Sequence, residues 1–291
     1  MGRKRAPKKG SAAAGDSVNG AVEKGPVAGS FDTDTGTAVL FPDGGGSDGW
    51  LLILNGVQSS HVHLDDPLRL DFEYMRWIMA LVEDRWESGA KLRTLSLGGG
   101  ACSMPRYLVA AYPNSRNVVV EIDGKLAGHV RDWFELPRAP LMKIRVGEAR
   151  EVTESLTGAS RELIIRDVFA GSKTPHALTT AEFTAAAKKV LIPGGVYVVN
   201  CGDAPSLTMA RREAATIAAA FEHTVIIADP PMLKGRRSGN IIIAGSDAPL
   251  GDGAGLPRTL LGGAMPAHIW DDGKVRHFGR SAVVLSDAEP E

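Results

Sequence analysis

The strongest constraint on this chain is an alternation of apolar, often β-branched runs with helix-compatible segments, from Arg93 to Ala228. The runs lie at 93–97, 118–122, 142–146, 163–166, 196–200 and 224–228. Between most of them stand segments with amphipathic helical spacing, at 104–112, 125–135, 148–156, 180–191 and 206–221. Parallel strands cannot be joined by tight turns. Repeated strand, helix, strand units therefore predict a doubly wound α/β fold, a mostly parallel sheet with helices on both faces. Thr179-Thr180-Ala181-Glu182 has the spacing of a capping box, and Pro193-Gly194-Gly195 reads as a helix stop and a turn into the next strand. Ligands of such sheets bind outside the carboxyl ends of the strands, so the chemistry is sought just after each apolar run.

Ahead of the alternation, Ala38-Val-Leu-Phe41 and Trp50-Leu-Leu-Ile-Leu54 flank the turn-rich stretch Pro42 to Gly49, the pattern of a β-hairpin. A helix is expected from Asp71 to near Gly89, with Phe72, Met75, Trp77, Ile78, Met79 and Val82 mostly on one face. Asn240 to Ala244 is a further strand, Leu250 to Met265 a loop or short helix, and Asp287 to Glu291 a frayed end. The first thirty residues have scarcely any large apolar side chain to offset the entropy of ordering, and Arg3, Lys4, Arg5, Lys8 and Lys9 make them basic. The expected division is a disordered basic arm (1–30), a small β-domain (31–70), the doubly wound domain (71–250) and a C-terminal extension (251–291).

Composition removes several classes of function. The 33 Lys and Arg residues almost balance the 34 Asp and Glu, a formal charge of −1, so no global field attracts nucleic acid or an anionic membrane. Cys102 and Cys201 show no paired C-x-x-C spacing, which fits a reducing compartment and neither a disulfide framework nor a thiolate zinc site. With no apolar stretch long enough to span a bilayer and no hydrophobic core of a signal peptide, a cytoplasmic location is expected.

Four loop tips carry candidate chemistry. Gly98-Gly99-Gly100 follows the strand at 93–97, where glycines let the backbone turn tightly and approach a ligand, and the next helix aims its free N–H groups at the same place. A plain tight turn accounts for a lone glycine triplet equally well. The next strand ends in Glu121-Ile122-Asp123, about twenty residues on, where an acid meets the two hydroxyls of a ribose. Glu121 suits that role best, with Asp123 beside it. The third strand leads to Gly147-Glu148-Ala149: Glu148 is placed to accept from an adenine amino group and Ala149 to offer its N–H to a ring nitrogen, or else Glu148 is a first-turn acid favoured by the helix dipole. The fourth leads to Asp167, over the crevice and near the reactive end of a bound nucleoside.

In this order, strand-Gly-Gly-Gly, Val-Glu-Ile-Asp, Gly-Glu-Ala and Ile-Ile-Arg-Asp, followed by Leu191-Ile-Pro-Gly-Gly195, the chain resembles the spermidine synthases, or polyamine aminopropyltransferases, from about Leu51 to Asn200. The resemblance implies a class I methyltransferase-like Rossmann domain behind a small N-terminal β-domain, a homodimer, and transfer of an aminopropyl group from decarboxylated S-adenosylmethionine to a small amine such as putrescine. It makes Gly98, Gly99 and Gly100 the donor loop, Glu121 and Asp123 the ribose side, Glu148 and Ala149 the adenine contacts, and Asp167 the general base. Neither a membrane nor nucleic acid is expected as a partner.

The chain departs from that pattern at three places. Ala101 stands where the family has an Asp that pairs with the aminopropyl amine, and Ala170 where a second acid follows the base. The family's glutamine is represented only by Gln58, one position early. Asp65, Asp66, Asp71 and Glu73 are acids near the expected lid that could stand in. An S-adenosylmethionine-dependent methyltransferase, which Ala101 favours, and a nucleoside-binding homologue without turnover are the alternatives. His61 and His63 flank Val62 on one strand face, but no third ligand stands at useful spacing, so no metal is expected. Cys102 reads as a small buried side chain.

Overall fold

A computed structural model describes residues 25–44 and 48–289. The basic arm, as far as residue 24, and Pro290-Glu291 at the other end lie outside the described residues.

The expected hairpin is the centre of a larger unit. Strands β1 (Gly29–Asp32), β2 (Thr37–Pro42), β3 (Gly49–Leu54) and β4 (Val57–His63) form an antiparallel four-stranded sheet in that order. Asn55 and Gly56 join β3 to β4 with φ of 50° and 81°, the two positive values that a two-residue hairpin turn needs and that Asn-Gly supplies at least strain. Helix α1 (Glu73–Arg85) follows, then β5 (Arg93–Leu97), α2 (Ser103–Ala111), β6 (Arg116–Glu121), α3 (Gly124–Phe134), β7 (Met142–Val146), α4 (Ala149–Glu154) and β8 (Arg161–Arg166). A 3₁₀ turn (His176–Leu178) precedes α5 (Ala181–Val190), β9 (Leu191–Asp203), α6 (Thr208–Ala220), β10 (His223–Ala228), α7 (Pro230–Leu233) and β11 (Gly239–Ser246), and the chain closes with α8 (Leu256–Leu261), β12 (His268–Trp270) and α9 (Asp272–Gly279).

The second sheet has eight strands in the order β12-β10-β11-β9-β8-β5-β6-β7. Pairing is parallel from β9 to β7, and because β11 is antiparallel to both its neighbours, only β11 and β12 run against the rest. The mostly parallel α/β fold is as expected. Helix α1 packs against β10, β11 and α8, and α8 against β12, while α4, α5, α6 and α9 lie side by side as a second layer. The order reverses beside β5, so the loops after β5, β6 and β8 open onto one crevice. A second apolar cluster joins Leu40, Leu52 and Val62 of the N-terminal sheet to Cys102, Val119, Trp133 and Phe134, which seats that sheet beside the crevice.

Three local expectations are corrected. Thr180, not Thr179, caps α5, its hydroxyl accepting from Phe183 N–H at 3.2 Å, and Glu182 instead accepts from Ser286 and the Asp287 N–H. Pro193-Gly194-Gly195 lies within β9 as a bulge, the register passing from Arg161–Leu191 directly to Leu163–Val196. The tail as far as Glu289 is pinned, since Arg150 pairs with Asp287 and Arg212 with Glu289.

Candidate active site

A cavity of about 1190 Å³ opens at the carboxyl ends of β5, β6, β8 and β9, closed on one side by the β3–β4 turn and the start of α1. Its floor is the glycine loop. Gly98 has φ of +88°, and a Cβ there would lie 2.1 Å from the Asp167 carbonyl oxygen; a Cβ on Gly100, at φ of +48°, would lie 2.6 Å from Ser60 Oγ. Only glycine lets the loop after β5 pass between the loop after β8 and strand β4.

Glu121 ends β6 facing this loop. Its Oε2 accepts from Gly99 N–H at 2.9 Å and Gly100 N–H at 3.4 Å, and its Oε1 from Asp123 N–H at 3.0 Å. Glu121 lines the cavity beside Ile122, an apolar side chain left 59% exposed at its wall. Asp123 is placed otherwise. It is buried away from the cavity lining as the N-cap of α3, accepting from Leu126 N–H, Thr35 N–H and Thr35 Oγ at 2.8 Å each. Burial would raise its pKa, but these bonds outweigh it and hold the carboxyl well below the usual range. Glu148 caps α4 by accepting from Glu151 N–H at 2.8 Å, and both Glu148 and Ala149 line the cavity.

Asp167 is held from two sides by residues the sequence analysis did not single out. Tyr74 of α1 donates its hydroxyl to Oδ2 and Asn200 of β9 its amide to Oδ1, each at 2.9 Å. Burial raises the Asp167 carboxyl above the ordinary carboxylate range, opposed by the bonds from Asn200 and Tyr74 and by the nearby charge of Arg166. Burial and the neighbouring carboxylate also push Tyr74 well up, so it remains a phenol and a donor. Asn200 Oδ1 is buried without a hydrogen-bond partner among the described residues.

The N-terminal sheet is locked onto this floor. Ser60 Oγ accepts from Ala101 N–H at 3.0 Å, Ser103 Oγ donates to the His61 carbonyl at 2.8 Å, and Arg106 donates to the carbonyls of His63 and Leu64. Cys102, at φ of 59° and fully buried, has its thiol pushed up to about 12 by burial, which leaves it unreactive.

Against solved structures, the chain aligns with a probable spermidine synthase from Corynebacterium glutamicum ATCC 13032 at 48% identity, over 91% of this chain and 98% of that one, with a TM-score of 0.87. The chain belongs to the spermidine synthase family. It is also 32% identical over 146 residues to a polyamine aminopropyltransferase of Chromobacterium violaceum, half of this chain and 54% of that protein. The chain thus spans about half the length of the curated relatives it matches. A spermidine synthase in complex with the transition state analogue AdoDATO shares the fold, at 18% identity and a TM-score of 0.57 over 80% of this chain and 76% of that one. No family model matches.

The departures from the family pattern have distinct places. Ala101 is fully buried, its N–H donating to Ser60 Oγ, and its methyl group brings no carboxylate to the cavity. Ala170 and Lys173 face each other across a tight turn at the rim, and both line it. Gln58 lines the opposite wall. Of the four acids suggested as substitutes only Glu73 lines the cavity; Asp71 is engaged with His61 and His63 instead. Tyr74, among the buried positions of α1, and Asn200, within the buried run of β9, carry in sequence only the weak signal of a polar group in an apolar setting.

Proposed function

We propose that this chain transfers an aminopropyl group from decarboxylated S-adenosylmethionine to a small amine such as putrescine. The observation that carries the proposal is Asp167, held by Tyr74 and Asn200 at the floor of a cavity whose adjoining loops are Gly98-Gly99-Gly100 and Glu121. At about 1190 Å³ the cavity exceeds the roughly 300–1,000 Å³ of most small-molecule sites, enough for a nucleoside donor and an acceptor together.

After accepting three backbone N–H groups Glu121 keeps one of its roughly four lone-pair sites for a ribose hydroxyl, Ile122 offers an apolar surface to the purine, and Glu148 with Ala149 meets the adenine edge. In the reaction the acceptor nitrogen attacks the carbon bound to the sulfonium. A C–N bond forms, the C–S pair goes to sulfur as neutral methylthioadenosine, and the nitrogen gives up a proton. A sulfonium is already an activated leaving group, so alignment and proton removal remain for the protein. A carboxyl with a raised pKa is the better proton acceptor, and Asn200 Oδ1 adds a second acceptor for the ammonium. The resemblance supports a homodimer acting in the cytoplasm; among the described residues no helix is long and apolar enough to cross a membrane.

Calorimetry with decarboxylated S-adenosylmethionine, the intact form and methylthioadenosine tests the donor. The proposal expects the decarboxylated form to bind at least about tenfold more tightly than the intact one, which corresponds to roughly 1.4 kcal/mol. Equal or reversed preference contradicts it and favours methyl transfer.

A further inference from the structure

Away from the cavity floor, one face of the N-terminal sheet gathers two imidazoles and two carboxylates. His61 and His63 stand two apart on β4 and project from the same side, their ring centroids 4.7 Å apart. Asp43, just past β2, brings Oδ2 to 3.1 Å from His61 Nε2. Asp71, just before α1, brings one oxygen to 2.7 Å from His61 Nδ1 and 2.5 Å from His63 Nε2. Gly49, opposite His63 in the register, leaves room for the group: a Cβ there would come within 2.2 Å of Asp43 Oδ2 and 2.9 Å of His61 Cε1. One ligand atom from each of Asp43, His61 and His63 falls within 4.8 Å of the others.

Hydrogen bonding leaves this cluster incomplete. A neutral imidazole has one N–H, and Asp43 sits where it takes the one on His61 Nε2. The lone pair on Nδ1 then faces the Asp71 carboxylate at 2.7 Å outside hydrogen-bond geometry, on a side chain only 9% exposed. Two electron pairs so close repel unless a cation, a proton or a metal ion, lies between them.

We propose that Asp43, His61, His63 and Asp71 form a binding site for one divalent transition-metal ion, with Zn²⁺ the best match to the donors. Imidazole nitrogen and carboxylate oxygen are the ligands Zn²⁺ takes at about 2.0–2.2 Å, and a carboxylate on the far nitrogen of a ligating imidazole is the usual support that orients the ring. The ion ties the loop after β2 and strand β4 to the residue that leads into α1, the helix that carries Tyr74. Local spacing hides the site because Asp43 and Asp71 reach the histidines from 18 and 8 positions away in sequence.

The test uses the full chain without an affinity tag, stripped with a chelator and titrated with Zn²⁺ by calorimetry. One equivalent is expected per chain with Kd in the micromolar range or below, and at a hundredfold excess over Kd the Tm is expected to rise by about 5 °C. His61→Gln and His63→Gln are each expected to weaken binding by about a hundredfold, and Asp43→Asn by about tenfold. Imidazole ¹⁵N spectra of the unmutated chain need no variant to fold, and on Zn²⁺ addition two of the seven histidines are expected to shift while five stay. Absence of saturable binding, a folded His61→Gln/His63→Gln chain that still binds, or shifts at other histidines would each overturn the proposal.

Discussion

Tyr74 and Asp167, 93 positions apart in sequence, meet at 2.9 Å with the phenol donating to the carboxylate. The contact fastens the first turn of α1 to the loop after β8 and stabilises the ionised form of Asp167 against the burial that raises its pKa. Tyr74→Phe removes one donor and little volume. The acid limb of the rate profile should then move to higher pH, because the ionised base has lost a stabilising bond, and kcat at neutral pH should fall by about tenfold or more. A pH–rate profile of the folded variant checks both.

The same residue predicts opposite effects on stability and activity. Because the folded pKa of Asp167 is raised, the native state holds its proton where the unfolded chain has released it. That contribution is present at low pH and is lost as pH rises through the folded value. Asp167→Asn should therefore raise Tm at pH 8 and not at pH 3, which thermal unfolding at the two values measures.

Gly98→Ala should do more than any other change in the loop after β5. The added Cβ would meet the Asp167 carbonyl oxygen at 2.1 Å, in a backbone conformation with φ of +88°. A cost of at least about 2 kcal/mol follows from strain and displacement together. Gly99→Ala, facing Glu121 Oε2 at 3.1 Å with no positive φ, should cost much less and weaken donor affinity instead. Denaturant unfolding and calorimetry separate the two effects.

Arg166 and Glu213 form an ion pair beneath the site with both side chains almost wholly buried, and Arg166 also donates to the Leu178 carbonyl at 2.7 Å. Glu213→Ala leaves a buried guanidinium without its partner and should cost about 3–5 kcal/mol, whereas Arg166→Met with Glu213→Leu should recover most of that. Urea unfolding of the single and double variants decides it.

The parallel sheet was legible because its strands are buried on both faces and read as continuous β-branched runs, such as Val118-Val-Val and Leu163-Ile-Ile. The loops after them follow from that topology, so Gly98, Glu121, Glu148 and Asp167 could be found from their positions after the runs. Asp123 carries the same local signal as Glu121, but the chain turns into α3 at Gly124 and takes its carboxylate for the cap. Tyr74, Asn200 and the two acids beside His61 and His63 were not legible, because each acts on a residue that only the tertiary fold brings near. The second hairpin was written in Asn55-Gly56, which resembles a displaced family motif closely enough to obscure its role as a turn.

Methylthioadenosine release by the full chain, given decarboxylated S-adenosylmethionine and a panel of small amines, tests the central claim most directly. Amine-dependent release is expected, with kcat/KM about 10²- to 10⁴-fold lower in Asp167→Asn. No release with any amine, or turnover that Asp167→Asn leaves unchanged, would contradict the account.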